Sequence, residues 1–171
     1  MRPFGLNVRC TGSGSSQKRR PPTARSIPRD AIAAAARAVV LPVGIGKLKC
    51  TGYVPDAVTA PCFFVGEVEV TFDKAMARKL DELLFTCRVL AGRQDDRASQ
   101  RIVDALLSGS GPSSLKEAIE AARGAPGEMA LGGLAHDLHL QRVQGYRWFE
   151  HAGTTYVGAE LVIKVIGDGS T

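Results

Sequence analysis

Not one Asp or Glu occurs among the first 29 residues, yet that stretch carries seven basic side chains: Arg2, Arg9, Lys18, Arg19, Arg20, Arg25 and Arg29. The remaining 142 residues hold 15 basic and 17 acidic groups. The formal net charge of +5 over 171 residues therefore belongs to a leader, and the body behind it is slightly acidic. Charge distributed this way bears on partners and solubility and leaves the fold open.

Other shortages exclude whole classes. The four cysteines (Cys10, Cys50, Cys62, Cys87) lie 40, 12 and 25 residues apart with no C-x-x-C pair, which suits neither a zinc site nor a small disulfide scaffold. Reduced, mostly buried thiols in a cytosolic fold are expected instead. Long hydrophobic runs are missing too. The most apolar stretch, residues 31–43, is broken by Arg37 and Pro42 and is too short to span a bilayer. Arg19-Arg20 resembles a twin-arginine export signal, but Pro21-Pro22 follows at once and charges interrupt the apolar region behind it. No membrane partner is expected.

Catalytic signatures are equally scarce. There is no G-x-x-x-x-G-K-[ST], no G-x-G-x-x-G after a strand and no G-x-S-x-G. His136 and His139 stand three apart in a β-pattern, which turns their imidazoles to opposite faces. The Gly109–Ser114 segment opens a helix, yet it lacks the phosphate-loop lysine and reads as a helix–helix connection. Neither a cofactor nor a metal is implied, and no enzyme is expected.

What the chain does contain is a body of ordinary composition, 44% hydrophobic and 23% charged, large enough for one domain with its own core. Residues 1–29 form a basic Gly/Ser/Pro-rich leader with too little apolar surface to offset ordering entropy. Its Lys18, Arg19, Arg20, Arg25 and Arg29 are candidates for an arm that contacts DNA or an acidic partner. No aromatic residues interleave with these charges, so stacking on single-stranded bases is not supported. Residues 30–171 are expected to form a single α+β domain.

The periodicities within that domain predict a helix over Asp30–Leu41, with Ile32, Ala35, Ala36, Val39 and Val40 facing a core. A short strand at Lys47–Thr51 and a Pro-containing loop follow. Cys62–Val65 reads as a buried strand and Glu67–Phe72 as a half-exposed one. Leu83–Ala91 is the longest strand candidate, with both faces expected to be covered. A helix capped at Asp95 or Asp96 and ending near Leu107 comes next, its apolar face being Ile102, Ala105 and Leu106. Ser114 with Glu117 three residues on is a capping box for a helix over Leu115–Arg123, stopped by Gly124. The last third reads as a meander, with Leu138, Leu140 and Val143 in one strand, a bend at Gln144-Gly145, a strand over Tyr146–Glu150, a turn at His151–Thr154, and a final strand over Thr155–Ile166. The order implies two to three helices packed on one face of an antiparallel or mixed sheet. With no chemistry in view and sheet edges to satisfy, self-association is expected.

The run Ser108-Gly109-Ser110-Gly111-Pro112-Ser113-Ser114-Leu115-Lys116-Glu117-Ala118, together with Tyr146, the Gly153 turn and Tyr156-Val157-Gly158-Ala159-Glu160-Leu161, resembles the tail terminator proteins of long-tailed phages of actinobacteria. The Ala-rich first helix, the loop from Tyr53 to Pro61 and the strand at Cys62–Val65 fit the same pattern. The resemblance covers about Asp30 to Gly167 and leaves the leader outside. It implies a ring, typically a hexamer, which caps the head-proximal end of the tail tube, stops its polymerisation and docks to the head–tail connector. It also implies a place in the virion at the head–tail junction, assembly in the host cytoplasm, and contacts with the major tail tube protein and a connector or stopper protein. Genomic DNA would pass through the lumen without specific recognition. On that reading the candidate subunit or tube interface is the charged stretch holding Glu67, Glu69, Thr71, Phe72, Asp73, Lys74, Arg78, Lys79, Asp81 and Glu82. Two other readings stay open: a neighbouring connector or neck ring protein, and a nucleic-acid-binding protein that uses the leader.

Overall fold

Alanine-rich sequence nucleates the first element. In the computed structural model, which describes residues 27–75, 80–93 and 97–168, helix α1 spans Ile27–Ala36 and places Pro28 in its first turn, where a missing N–H is harmless. Asp30 lies in the same turn, favourable to the helix dipole. The helix ends five residues before the Leu41 expected from periodicity. Its last turn tightens through i→i−3 bonds from Ala38 and Val39. The chain continues non-helically, so Val39 remains buried while Val40 turns 61% outward. That outward turn corrects the expected core position of Val40.

The rest is an order of strands and helices: β1 (Lys49–Thr51), β2 (Cys62–Ala75), β3 (Leu80–Arg93), α2 (Arg97–Leu107), α3 (Leu115–Glu120) with a 3-10 turn over Ala121–Arg123, β4 (Asp137–His151) and β5 (Thr154–Asp168). They build one five-stranded sheet in the order β1-β2-β3-β5-β4. β1 runs parallel to β2 and every other pairing is antiparallel. This is a mixed-sheet α+β fold. Strands of 14 or 15 residues extend about 45 Å at the usual rise, so the sheet is long for its width.

Two expected strand breaks turn out to be bulges. Cys62–Val65 and Glu67–Phe72 are halves of β2, with a register shift between Val65 and Val68. β4 likewise runs through Gln144-Gly145, with shifts at 140–142 and 144–147. An extra residue in one strand kinks it without ending it. The β4–β5 connection is a two-residue hairpin in which Ala152 and Gly153 both have positive φ, 48° and 74°, the backbone a type I′ turn requires.

One face of the sheet carries all three helices. Across it, Phe63, Val89 and Ala159 form one row, Val65, Cys87 and Leu161 the next, then Phe85, Ile163 and Leu140, then Leu83, Val165 and Leu138. Ile32 and Ala36 of α1, Val103 and Leu106 of α2, and Leu115 and Ile119 of α3 pack on these rows. Each fully buried large side chain contributes about 1.5–3 kcal/mol. α3 starts where its capping box puts it: Ser114 Oγ accepts from Glu117 N–H at 3.2 Å. The Glu117 carboxylate, however, accepts from Gly111 N–H at 2.6 Å, so it fastens the preceding loop. Val40 N–H donates to Pro112 O and Ser113 Oγ donates to Val40 O, which ties that loop to the chain after α1. The segment is a structural connection between α2 and α3.

Among the described residues the opposite face carries no helix; there Leu84, Thr86 and Arg88 of β3 are half-buried and Leu90 is buried. The apolar side chains on that face are the cluster of Cys62, Phe64 and Leu90, backed by Val58, Phe149 and Tyr156, and further along Leu84, Val162 and Ile166.

Candidate interaction surface

Among the described residues, no group of three or more His, Cys, Asp or Glu side chains lies close enough to hold a metal ion. Cys50, Cys62 and Cys87 are free, buried thiols. Burial pushes the Cys50 and Cys62 thiols up to about 11 and raises Cys87 further, so none is a poised nucleophile at neutral pH. A cleft of about 660 Å³ opens beside the start of α2, between the 58–61 loop and the ends of β3 and β5. Among the described residues of its lining, Arg93 and Tyr156 are the ionisable side chains, and these supply no carboxylate or imidazole for acid–base work. No helix among the described residues is long and apolar enough to cross a membrane.

The uncovered sheet face has a definite electrostatic structure. Arg88 and Glu160 stand opposite each other on β3 and β5 and pair at 3.4 Å. The Arg88 guanidinium also lies 5.3 Å from the Phe149 ring centroid, within cation–π range. Further along, Glu82 is only 7% exposed and accepts from Lys164 at 2.6 Å and from Lys74. A carboxylate so sheltered is tolerable only when paired. Arg88, Glu160, Glu82 and Lys164 on the middle strands are thus each answered by a neighbour within the same sheet.

Those pairs set an acid limit on stability. Hydrogen bonding from Lys164, then from Lys74, holds the Glu82 carboxyl below its ordinary range against the opposing effect of burial. Arg123, bonded to both Asp137 oxygens at 2.7 and 3.1 Å, does the same for Asp137. A depressed folded-state pKa adds stability that is complete above the unfolded value, about 4 for these groups. It disappears as pH falls through the folded value. Urea unfolding followed by circular dichroism from pH 7 to pH 2 should therefore show stability falling below about pH 4. Glu82→Gln should be less stable at pH 7 and should lose less on acidification.

The structure separates the candidate residues that the sequence grouped. Glu67, Glu69, Thr71, Phe72, Asp73 and Lys74 lie on the exposed half of β2. Asp81 and Glu82 begin β3 and are buried, 9% and 7% exposed. Asp81 Oδ1 accepts from Asp73 N–H at 3.0 Å, where Asp73 adopts φ 49° in a bulge. The expected charged excursion is thus the far end of a β2–β3 hairpin, in which Asp81 and Glu82 hold the hairpin together. Arg78 and Lys79 lie outside the described residues, as do Lys18, Arg19, Arg20 and Arg25 of the leader. Arg29 belongs to α1: its Nη1 donates to Gly66 O at 2.8 Å, and its guanidinium lies 5.8 Å from the Tyr53 ring and 6.0 Å from the Phe85 ring. It fastens the β2 bulge to the helix and is committed inward, not to an arm.

Sequence reasoning missed Arg142 and Arg147, both exposed on the edge strand β4. The available signal was their alternation with apolar residues in a strand that, among the described residues, has no neighbour on one side. On the same strand Val143 and Trp148 are 37% and 52% exposed. β2 mirrors this from the other edge of the sheet, with Val68 38% and Phe72 58% exposed beside Glu67 and Glu69. β1 covers β2 only at Cys62–Phe64.

The class these features define is an α+β domain whose sheet, among the described residues, carries helices on one face and leaves two long edges open. No protein-family model matches the chain, and no curated protein matches it in sequence.

Proposed function

We propose that this protein is a structural ring subunit that terminates a phage tail tube at its head-proximal end. The observation that carries the reading is the long sheet that, among the described residues, carries helices on one face only and is open along both outer strands. A sheet of this kind leaves backbone donors and acceptors unpaired at its edges, and proteins either block such edges or use them to assemble. Long strands and a resemblance over Asp30–Gly167 agree with assembly.

In the ring, the helix-free face lines the lumen. Its Arg88–Glu160 and Glu82–Lys164 pairs cancel the charge along its middle and leave Arg142 and Arg147 at its β4 edge, so duplex DNA meets few free cations to release counterions against. Such a surface lets a genome pass without retaining it. The subunit's partners are then further copies of itself, the tail tube protein on one side and the connector on the other, and its place is the virion.

Negative-stain imaging and light scattering of the purified protein test this. The expected result is a ring of about six copies with a central channel, the common outcome when a heterologous contact closes on itself. Added to polymerising tube protein, the ring should stop growth at one end. A ring that binds the head-side assembly and leaves tube growth unchanged identifies a connector instead. A monomer that binds DNA with steep salt dependence, lost on deleting residues 1–26, overturns the ring in favour of nucleic-acid binding.

A further inference from the structure

The two open edges of the sheet differ in sign. Between Glu67 and Asp73, β2 carries three acids (Glu67, Glu69, Asp73) and no base. At the same height on the other edge, residues 137–142 of β4 carry His139 and Arg142, and the one acid there, Asp137, is held by Arg123. We infer that these edges are the two halves of one contact: β4 of one copy adds antiparallel to the open half of β2 in the next copy. The inference rests on the reading that the chain self-assembles and names the surfaces through which it does so.

Strand direction supports this. β3 and β4 both run against β2 and β5. A neighbour brought alongside by rotation about an axis along the strands therefore sets its β2 antiparallel to β4, continuing the alternation across the junction. Antiparallel neighbours form a regular ladder of backbone hydrogen bonds with no crossover needed. The contact is heterologous, because the surfaces differ, and a heterologous contact closes into a ring or runs on as a filament.

The register of the sheet also places the charges. Val65 pairs through Cys87 and Leu161 with Val143, and Val68 through Phe85 and Ile163 with Leu140. At the same height along the strands, Arg142 of one copy therefore lies beside Gly66 and Glu67 of the next, and His139 lies level with Glu69. Cross-strand pairs of opposite charge favour such a junction and like charges oppose it. On the helix-bearing face, the exposed Val68 and Val143 gain apolar neighbours from the adjoining copy. At the height of β1, β4 carries its second bulge, between Gln144 and Arg147. A bulged edge bends there, which leaves space for the extra short strand of the neighbour.

Charge reversal tests the inference. Glu67→Lys with Glu69→Lys, and separately Arg142→Glu with His139→Glu, should each weaken assembly about tenfold or more. Circular dichroism should show both variants folded, since all four side chains are exposed. The chain carrying all four reversals should assemble again, and an equimolar mixture of the two double variants should form mixed rings. If wild type assembles and the double variants assemble as well, the edge assignment is overturned while self-assembly stands. If wild type remains monomeric at every concentration, the ring reading itself fails. Loss in both double variants without rescue in the fourfold chain also overturns the complementarity.

Discussion

Phe85→Ala is expected to cost the fold about 3–5 kcal/mol, the range for removing a buried phenyl ring. Phe85 is 0% exposed, sits mid-sheet on β3, and is flanked by Val68 on β2 and Ile163 on β5. Its ring also faces the Arg29 guanidinium, 6.0 Å away, whose Nη1 holds Gly66 O. Truncation therefore leaves a cavity and loosens the clamp between α1 and the β2 bulge. A cationic side chain next to a void cannot simply fill it, so the site collapses poorly and the cost should fall high in its range. Against the usual 5–15 kcal/mol of total stability, such a loss is a large fraction. Thermal unfolding followed by circular dichroism should show a midpoint lower by roughly 10–15 °C. Val43→Ala, at a fully exposed position, should stay within about 0.5 kcal/mol of wild type. Equal effects from the two substitutions would mean that the core is centred elsewhere.

The sequence conveyed local features best. The Ser114–Glu117 cap, the Gly124 stop and the His151–Thr154 hairpin turn each involve residues within a few positions of one another, so propensity and spacing suffice to find them. Alternation likewise placed Leu83, Phe85, Cys87, Val89 and Ala91 on one face, all of them buried. Errors arose where a tertiary contact overrode a local pattern. Val39 kept the helical rhythm beyond α1 because it packs on the core from a loop. Gly66-Glu67 and Gln144-Gly145 carry the composition of turns, but neighbouring strands hold them in the ladder as bulges. The roles of Asp81 and Glu82 were not legible at all. Glu82 is partnered by Lys164 from the last strand, and nothing near it in sequence announces that. The open edges were invisible for the same reason, since strand order is a property of the whole sheet. Arg29 shows the limit of charge counting: grouped with a basic leader by composition, it is occupied by a carbonyl and two rings.

Gly158→Ala should be the more severe of two glycine substitutions in β5 and its turn, although it changes the smaller-looking feature. Gly158 lies mid-strand at an ordinary φ, opposite Leu90 on β3 and Arg147 on β4. A methyl group there would stand 2.2 Å from Val89 O, 2.9 Å from Leu90 Cδ2 and 3.2 Å from Phe149 Cδ2. Leu90 and Phe149 can give way, but Val89 O is backbone, and moving it breaks the β3–β5 ladder at the centre of the sheet. β5 is held on both sides, so it cannot shift outward as an edge strand would. The expected cost is about 3 kcal/mol or more, at the top of the overpacking range. Gly153 offers the contrast: its φ is 74°, and a methyl there meets nothing within 4 Å. Gly153→Ala should cost about 1–2 kcal/mol from backbone strain alone. Urea midpoints of the two variants check the order. Because Gly158 lies on the helix-free face, its variant also separates folding from assembly. If Gly158→Ala folds with little loss, the clash is relieved by a bend in β5, and ring formation should then suffer in a chain whose own core remains intact.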